Sequence, residues 1–262
     1  MDILAIIGIS LGIGAILGGQ LLEGGNVSSI LQLTAAVIVI GGTIGAIFLN
    51  YPFHVVMNAL RMAKKTFVNG DNNLPDVVRQ ITGYTQLIRK EGLLALEVHI
   101  KKNSTNPMLK RGLQLVVDGT SPHEIKNILE IELNQDEERK LQAAKVFESA
   151  GGYAPTIGIL GAVLGLIHVM ENLADPSMLG SGIAVAFVAT VYGVGSANLF
   201  WLPIAGKLRL RTREESIRGE LIIEGVISLS QGDNPRLVHE KLTGFLTDGD
   251  KKKAGRVQRR AA

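Results

Sequence analysis

Charge is absent from four long apolar stretches of this 262-residue chain: residues 3–22, residues 30–51, and the two arms of a hairpin within residues 151–205. The hairpin's only formal charges, Glu171 and Asp175, fall in or beside the loop that joins its arms. Each stretch is long enough to cross the hydrocarbon of a bilayer, which takes about 20 residues at about 1.5 Å each. The intervening segment, residues 52–150, follows another rule, with apolar positions recurring at helical spacing among charged ones. Pro75 suits a helix first turn, and the run from Asp76 keeps that spacing to Ile100. Ser121-Pro122-His123-Glu124 reads as a capping box with proline in the first turn. The helix it opens carries Ile125, Ile128, Leu129, Ile131 and Leu133 and points through QDEERK at Gly151-Gly152, so it is expected to feed directly into the third span.

The pattern predicts an all-α polytopic membrane protein. Residues 1–51 form spans one and two, residues 52–150 a helical domain, residues 151–206 spans three and four, and residues 207–262 a helical basic tail that loses order near its end. The basic residues sharpen this picture. All 27 Lys and Arg fall in two blocks, Arg61 to Lys145 and Lys207 to Arg260, whereas a soluble chain needs charge on every helix. The loops at 23–29 and 172–180 carry none, so the positive-inside rule puts both outside and the large segment, the tail and both termini in the cytoplasm. The net charge of +3 and the missing basic-aromatic patches argue against a nucleic-acid partner. With no cysteine and five scattered histidines, no metal or cofactor is expected.

Glycines recur four apart at Gly8/Gly12, Gly14/Gly18, Gly41/Gly45 and Gly161/Gly165, a spacing that lets helices approach closely inside one chain or between chains. No Asp, Glu, Lys or Arg lies mid-span, so ion movement would require a carboxylate from a second protein. His168, near the outer end of span three, reads as a packing or interfacial residue. Thr156, Thr190, Tyr192 and Ser196 are the polar side chains identified on the hairpin, and hydroxyls in such places commonly bond back to their own helix. Pro155 and Pro203 both fall toward the cytoplasmic face, where paired kinks would make a gate or hinge. Lys207, Arg209, Arg211 and Arg213 follow span four and would anchor it against anionic lipid. On a continuous helix, Lys90 and Glu97 would lie about 20° apart and Arg89 about 80° from Glu97, one broad charged face suited to steering a partner.

Three stretches carry a resemblance: RKEGLLALE from Arg89, APTIGILGAVLGLIHVMENL from Ala154, and GSGIAVAFVATVYGVGSANLFWLPIAGKL from Gly180. The chain resembles the MotA/PomA subunits of bacterial flagellar stators over nearly its whole length. The resemblance implies a pentameric ring in the inner membrane around two single-span MotB-type chains, which bind peptidoglycan and supply the ion-binding aspartate. It implies that Pro155 and Pro203 couple ion passage to conformational change, and that Arg89 and Glu97, supported by Lys90, engage the rotor protein FliG. Sodium-type relatives keep a threonine where this chain has Ala162, and another matching Thr190, so protons rather than sodium are the expected ion. Those relatives also carry a second acid where this chain has Val98. Covalent enzyme chemistry is not expected. The alternatives are an ExbB/TolQ-like proton-driven force transducer, whose relatives have three spans, or a non-conducting membrane scaffold.

Overall fold

The computed structural model describes residues 3–66, 73–97, 106–174 and 176–251, and among these every regular element is helical. Four helices are long and apolar enough to cross a membrane. Helix α1, Ile3–Leu22, is followed by a 3₁₀ turn, Val27–Ile30, which Asn26 caps by accepting from the Ser28 N–H. Helix α2 runs Leu33–Asn50. The second span therefore begins at Leu33 and not at Ile30, because Leu31 and Gln32 are extended. Helix α3, Phe53–Thr66, follows the extended Tyr51.

Helix α4, Leu74–Glu91, opens with Pro75 in its first turn, as expected. It does not continue to Ile100. Gly92 takes φ +83° and its N–H closes the helix on Ile88 O, in a left-handed region that a side chain would disfavour. Residues 93–94 then turn and residues 95–97 resume one helical turn, while Val98 and the residues up to 105 lie outside the described residues. Helix α5 is Pro107–Val117, with Asn106 capping the Leu109 N–H.

Helix α6 spans Pro122–Glu171 without a break, so the charged helix does feed the third span. At its start Ser121 Oγ accepts the Glu124 N–H at 3.2 Å and donates to the Glu124 carboxylate at 2.8 Å. The last helical stretch begins earlier than the sequence loop implied. Pro176 opens helix α7, which runs Pro176–Ser196, passes through a π turn, Ala197–Trp201, and goes on as Leu202–Ser230. The basic residues after Ala205 thus continue the helix of the fourth span. Helix α8, Pro235–Thr243, is followed by a turn and a short helical turn over residues 248–251, and residues 252–262, including most of the basic terminus, lie outside the described residues.

The chain divides into two compact units, Met1–Gly70 with Arg139–Arg211, and Asp71–Glu138 with Thr212–Ala262. The first, the apolar unit, holds the four spans and α3. At one end Val56, Ala59 and Ala63 of α3 form a core with Ala143, Ala144, Phe147 and Ala150 of α6 and Ala205 and Leu208 of α7. The second, the charged unit, is built on large aliphatic side chains, among them Ile81, Leu109, Leu113, Leu129, Leu221 and Leu242, all buried.

Candidate functional site

The two arms of the hairpin touch through bare backbone. A Cβ placed on Gly193 would stand 2.6 Å from Ala154 O and 3.2 Å from the Pro155 Cα; one on Gly158 would stand 2.9 Å from Ala189 O. The same close approach recurs at Gly165, whose Cβ would meet Gly182 O and the Ala186 N at 2.7 Å. Ala154, Gly158, Gly161 and Gly165 on one arm therefore mesh with Gly182, Ala186, Ala189 and Gly193 on the other. Small residues do this because apolar side chains gain nothing by leaving lipid for one another, and dispersion contacts must supply the attraction. Span two lies on the same hairpin: Ile38 reaches the Gly161 position and Ile157 the Gly42 position.

Of the glycine pairs read from sequence, one packs inside this chain, two are open and Gly8/Gly12 is split. Gly161, Gly165 and Gly12, the last against Leu199, pack inside this chain, whereas Gly8, Gly14, Gly18, Gly41 and Gly45 have nothing within 4 Å.

Pro155 lies within α6, which remains helical through it, and Pro203 lies two residues past the end of the π turn on α7. The Leu202 N–H bonds to Ala197 O, five residues back, and Pro203 has no N–H with which to reach Leu199 O. A π turn next to a proline widens the helix where the ring would otherwise strike that carbonyl. The prolines are staggered. Pro155 packs at the height of Gly193, while Gly151 faces Trp201 and Leu202, so Pro203 lies at least one turn, about 6 Å, further along the hairpin.

The hydroxyls are already engaged. Thr156 Oγ1 donates to Tyr153 O at 2.8 Å, Thr190 Oγ1 to Ala186 O at 3.3 Å and Ser196 Oγ to Gly193 O at 3.3 Å, each within its own helix. Tyr192 differs: its hydroxyl donates to Ile30 O at 2.7 Å and accepts the Gln32 N–H at 3.3 Å. It satisfies the irregular backbone that leads into span two, groups that lipid cannot serve. Ala162 is partly buried on α6 and offers no oxygen beyond its backbone. His168, exposed near the end of α6, has Asn172 Nδ2 at 3.4 Å from its Nδ1. Asn198, inside the π turn, is concealed in the sequence by the apolar run around it; its amide donates to Val194 O at 2.9 Å and its side chain is exposed.

In the charged unit Arg89, Lys90 and Glu97 are all exposed, but the break at Gly92 means they do not share one helix face. Arg89 and Lys90 belong to the last turn of α4, and Glu97 belongs to the turn beyond. The angular argument across residues 89–97 fails because one glycine resets the backbone. No cluster of metal-ligating side chains occurs among the described residues.

Residues 100–220 match the MotA/TolQ/ExbB proton channel family, and residues 6–92 match the motility protein A N-terminal family. The chain is 35% identical to motility protein A of Bacillus subtilis over 97% of its own length and 94% of that protein. It is 30% identical to the chemotaxis protein PomA of Vibrio alginolyticus, covering 95% of this chain and 97% of that one. Among solved structures it is similar to a chain of C. jejuni MotAB, with a TM-score of 0.89, 32% identity and coverage of 95% and 97%. A chain of the flagellar MotAB stator complex from Bacillus subtilis superposes with a TM-score of 0.87 at 34% identity, covering 95% of this chain and 98% of that one.

Proposed function

The chain belongs to the motility protein A family of MotA/TolQ/ExbB proton channel proteins, and from that membership we propose that it is the ring subunit of a bacterial flagellar stator. In this reading it assembles, as a pentamer, around a MotB-type single-span, peptidoglycan-binding partner in the inner membrane and couples proton flow to torque on the rotor protein FliG. Both termini and the charged unit face the cytoplasm, and anionic lipid anchors the basic residues after span four. The observation that carries the reading is the hairpin itself: two close-packed arms with no Asp, Glu, Lys or Arg at residues 151–170 or 176–206. Such a surface can wall an ion path but cannot relay the ion, so a partner carboxylate completes it.

Within that path Pro155 and Pro203 act as staggered hinges. Thr156, Thr190 and Ala162 line the wall, Ala162 leaving out an oxygen that could replace sodium hydration, so protons are the ion. Tyr192 braces span two against the hairpin. Arg89, Lys90 and Glu97 meet the rotor. Each charge crossing supplies about 2.3 kcal/mol per 100 mV, enough to bias a hinge and too little to unfold a domain.

Proteoliposomes holding the chain with its partner test the proposal. Proton flux should require the partner's intramembrane aspartate, and flux indifferent to that residue would sink the shared pathway. In cells, torque should persist when sodium is removed at constant membrane potential; its collapse would overturn the ion assignment.

A further inference from the structure

The turn that ends α4 presents something the charge pattern does not account for. Gly92 N–H bonds to Ile88 O at 2.9 Å, and three further bonds tie the following turn together: Ala95 N–H to Gly92 O, Leu96 N–H to Leu93 O and Glu97 N–H to Leu94 O, at 3.1–3.3 Å. Leu96 points inward and is fully buried in the aliphatic core. Leu94, two residues earlier, is 75% exposed, and Leu93 beside it is 36% exposed. The backbone is thus pinned from beneath while a leucine is held outward. Exposed Arg89, Lys90, Glu91 and Glu97 stand on both sides of it along the chain.

Charges at such positions are screened within about 8 Å at physiological ionic strength and set the rate and orientation of an encounter more than its affinity. Affinity in protein contacts concentrates in a few apolar anchors that a charged rim surrounds. We propose that Leu94, shouldered by Leu93, is the apolar anchor of the rotor contact, seating in an apolar pocket of the rotor protein that is edged by charges complementary to Arg89, Lys90 and Glu97. The proposal rests on the stator reading. It separates two functions that the family motif runs together: the charges steer, and the leucine holds.

The test uses the assembled complex with its partner in nanodiscs, binding purified rotor protein across a salt series. Leu94→Ser should weaken binding at least tenfold, about 1.4 kcal/mol, without changing the salt dependence, and Leu94→Met should stay within about twofold of wild type. Arg89→Ala should flatten the salt dependence instead. Because Leu94 is exposed, assembly and proton flux of Leu94→Ser should match wild type, which keeps a misfolded variant from imitating the result. Wild-type binding by Leu94→Ser alongside weakened binding by Arg89→Ala would overturn the anchor and leave the stator reading standing. A loss by Leu94→Ser of affinity for anionic vesicles in place of rotor protein would also overturn it. Failure of the wild-type complex to bind rotor protein at any salt concentration would overturn the stator reading and the anchor with it.

Discussion

The two units of this chain are held together by opposite means. Among the described residues, the largest fully buried side chains all belong to the charged unit except Val39. The apolar unit buries mostly alanines and glycines and brings backbones into contact, as at Gly158 and Gly193. Water explains the difference. Where it surrounds a fold, removing leucine and isoleucine from it drives packing. Where lipid surrounds the fold, that drive is missing, and close approach of small residues takes its place. A residue's size therefore has opposite value in the two units.

Paired substitutions put that contrast at risk. Gly193→Leu should cost about 3 kcal/mol or more, the upper end of overpacking penalties, because the Ala154 carbonyl 2.6 Å from the new Cβ is backbone and cannot yield. Leu129→Ala in the charged unit should cost about 2–5 kcal/mol by leaving a cavity. Gly14→Val, with nothing within 4 Å, should leave the fold of the single chain intact. Thermal unfolding of the purified protein in detergent measures all three. A mild Gly193→Leu, or one no worse than Gly14→Val, would break the comparison.

Much of this was legible beforehand, for identifiable reasons. The spans, the capping box at Ser121 and the uninterrupted helix from Pro122 to Glu171 announce themselves through charge-free length and helical period. The end of α4 did not, because a glycine inside a helical pattern costs only about 1 kcal/mol and leaves the period intact on both sides. The π turns at Val37–Gly41 and Ala197–Trp201 shift the register by one residue, which an all-apolar stretch conceals. Likewise the spacing of Gly41 and Gly45 looks like that of Gly161 and Gly165, yet only the second pair meets this chain's own helices. Spacing reports that a close approach is permitted, and the partner is set by tertiary structure.

The prolines sharpen the comparison from the functional side, since they interrupt the unit that relies on backbone contact. Pro203→Ala would restore an N–H toward Leu199 O and favour a regular helix over the π turn. Torque should fall several-fold while the amount of assembled complex stays close to wild type, measured by tethered-cell rotation and native electrophoresis. Loss of assembly instead would make Pro203 a packing residue like Gly193.

A smaller effect is expected at Tyr192→Phe. The variant deletes the hydroxyl that serves Ile30 O and Gln32 N–H, and should lower stability by about 1 kcal/mol per lost bond with proton flux per complex unchanged. Flux lost at unchanged stability would move Tyr192 from brace to ion path.

The smallest effect belongs to the charged unit. Lys241 Nζ lies 2.9 Å from Asp233 Oδ2, 3.3 Å from Ser228 Oγ and 3.5 Å from Glu224 Oε1, joining α8 to the end of α7. The hydrogen bond to Asp233, aided by the charges of Asp233 and Glu224 and opposed by burial, raises its pKa above the usual 10.5. A raised lysine pKa stabilises the fold fully below the unfolded value and ceases to do so as pH climbs through the folded value, so the contribution disappears only above about pH 10.5. Lys241→Met should therefore lower stability slightly at neutral pH and flatten the alkaline limb of a pH–stability curve. The effect stays small because the ammonium is partly exposed and water screens the pair. An alkaline limb as steep as wild type in Lys241→Met would place that loss on other groups and remove Lys241 as an electrostatic tie between α8 and the end of α7.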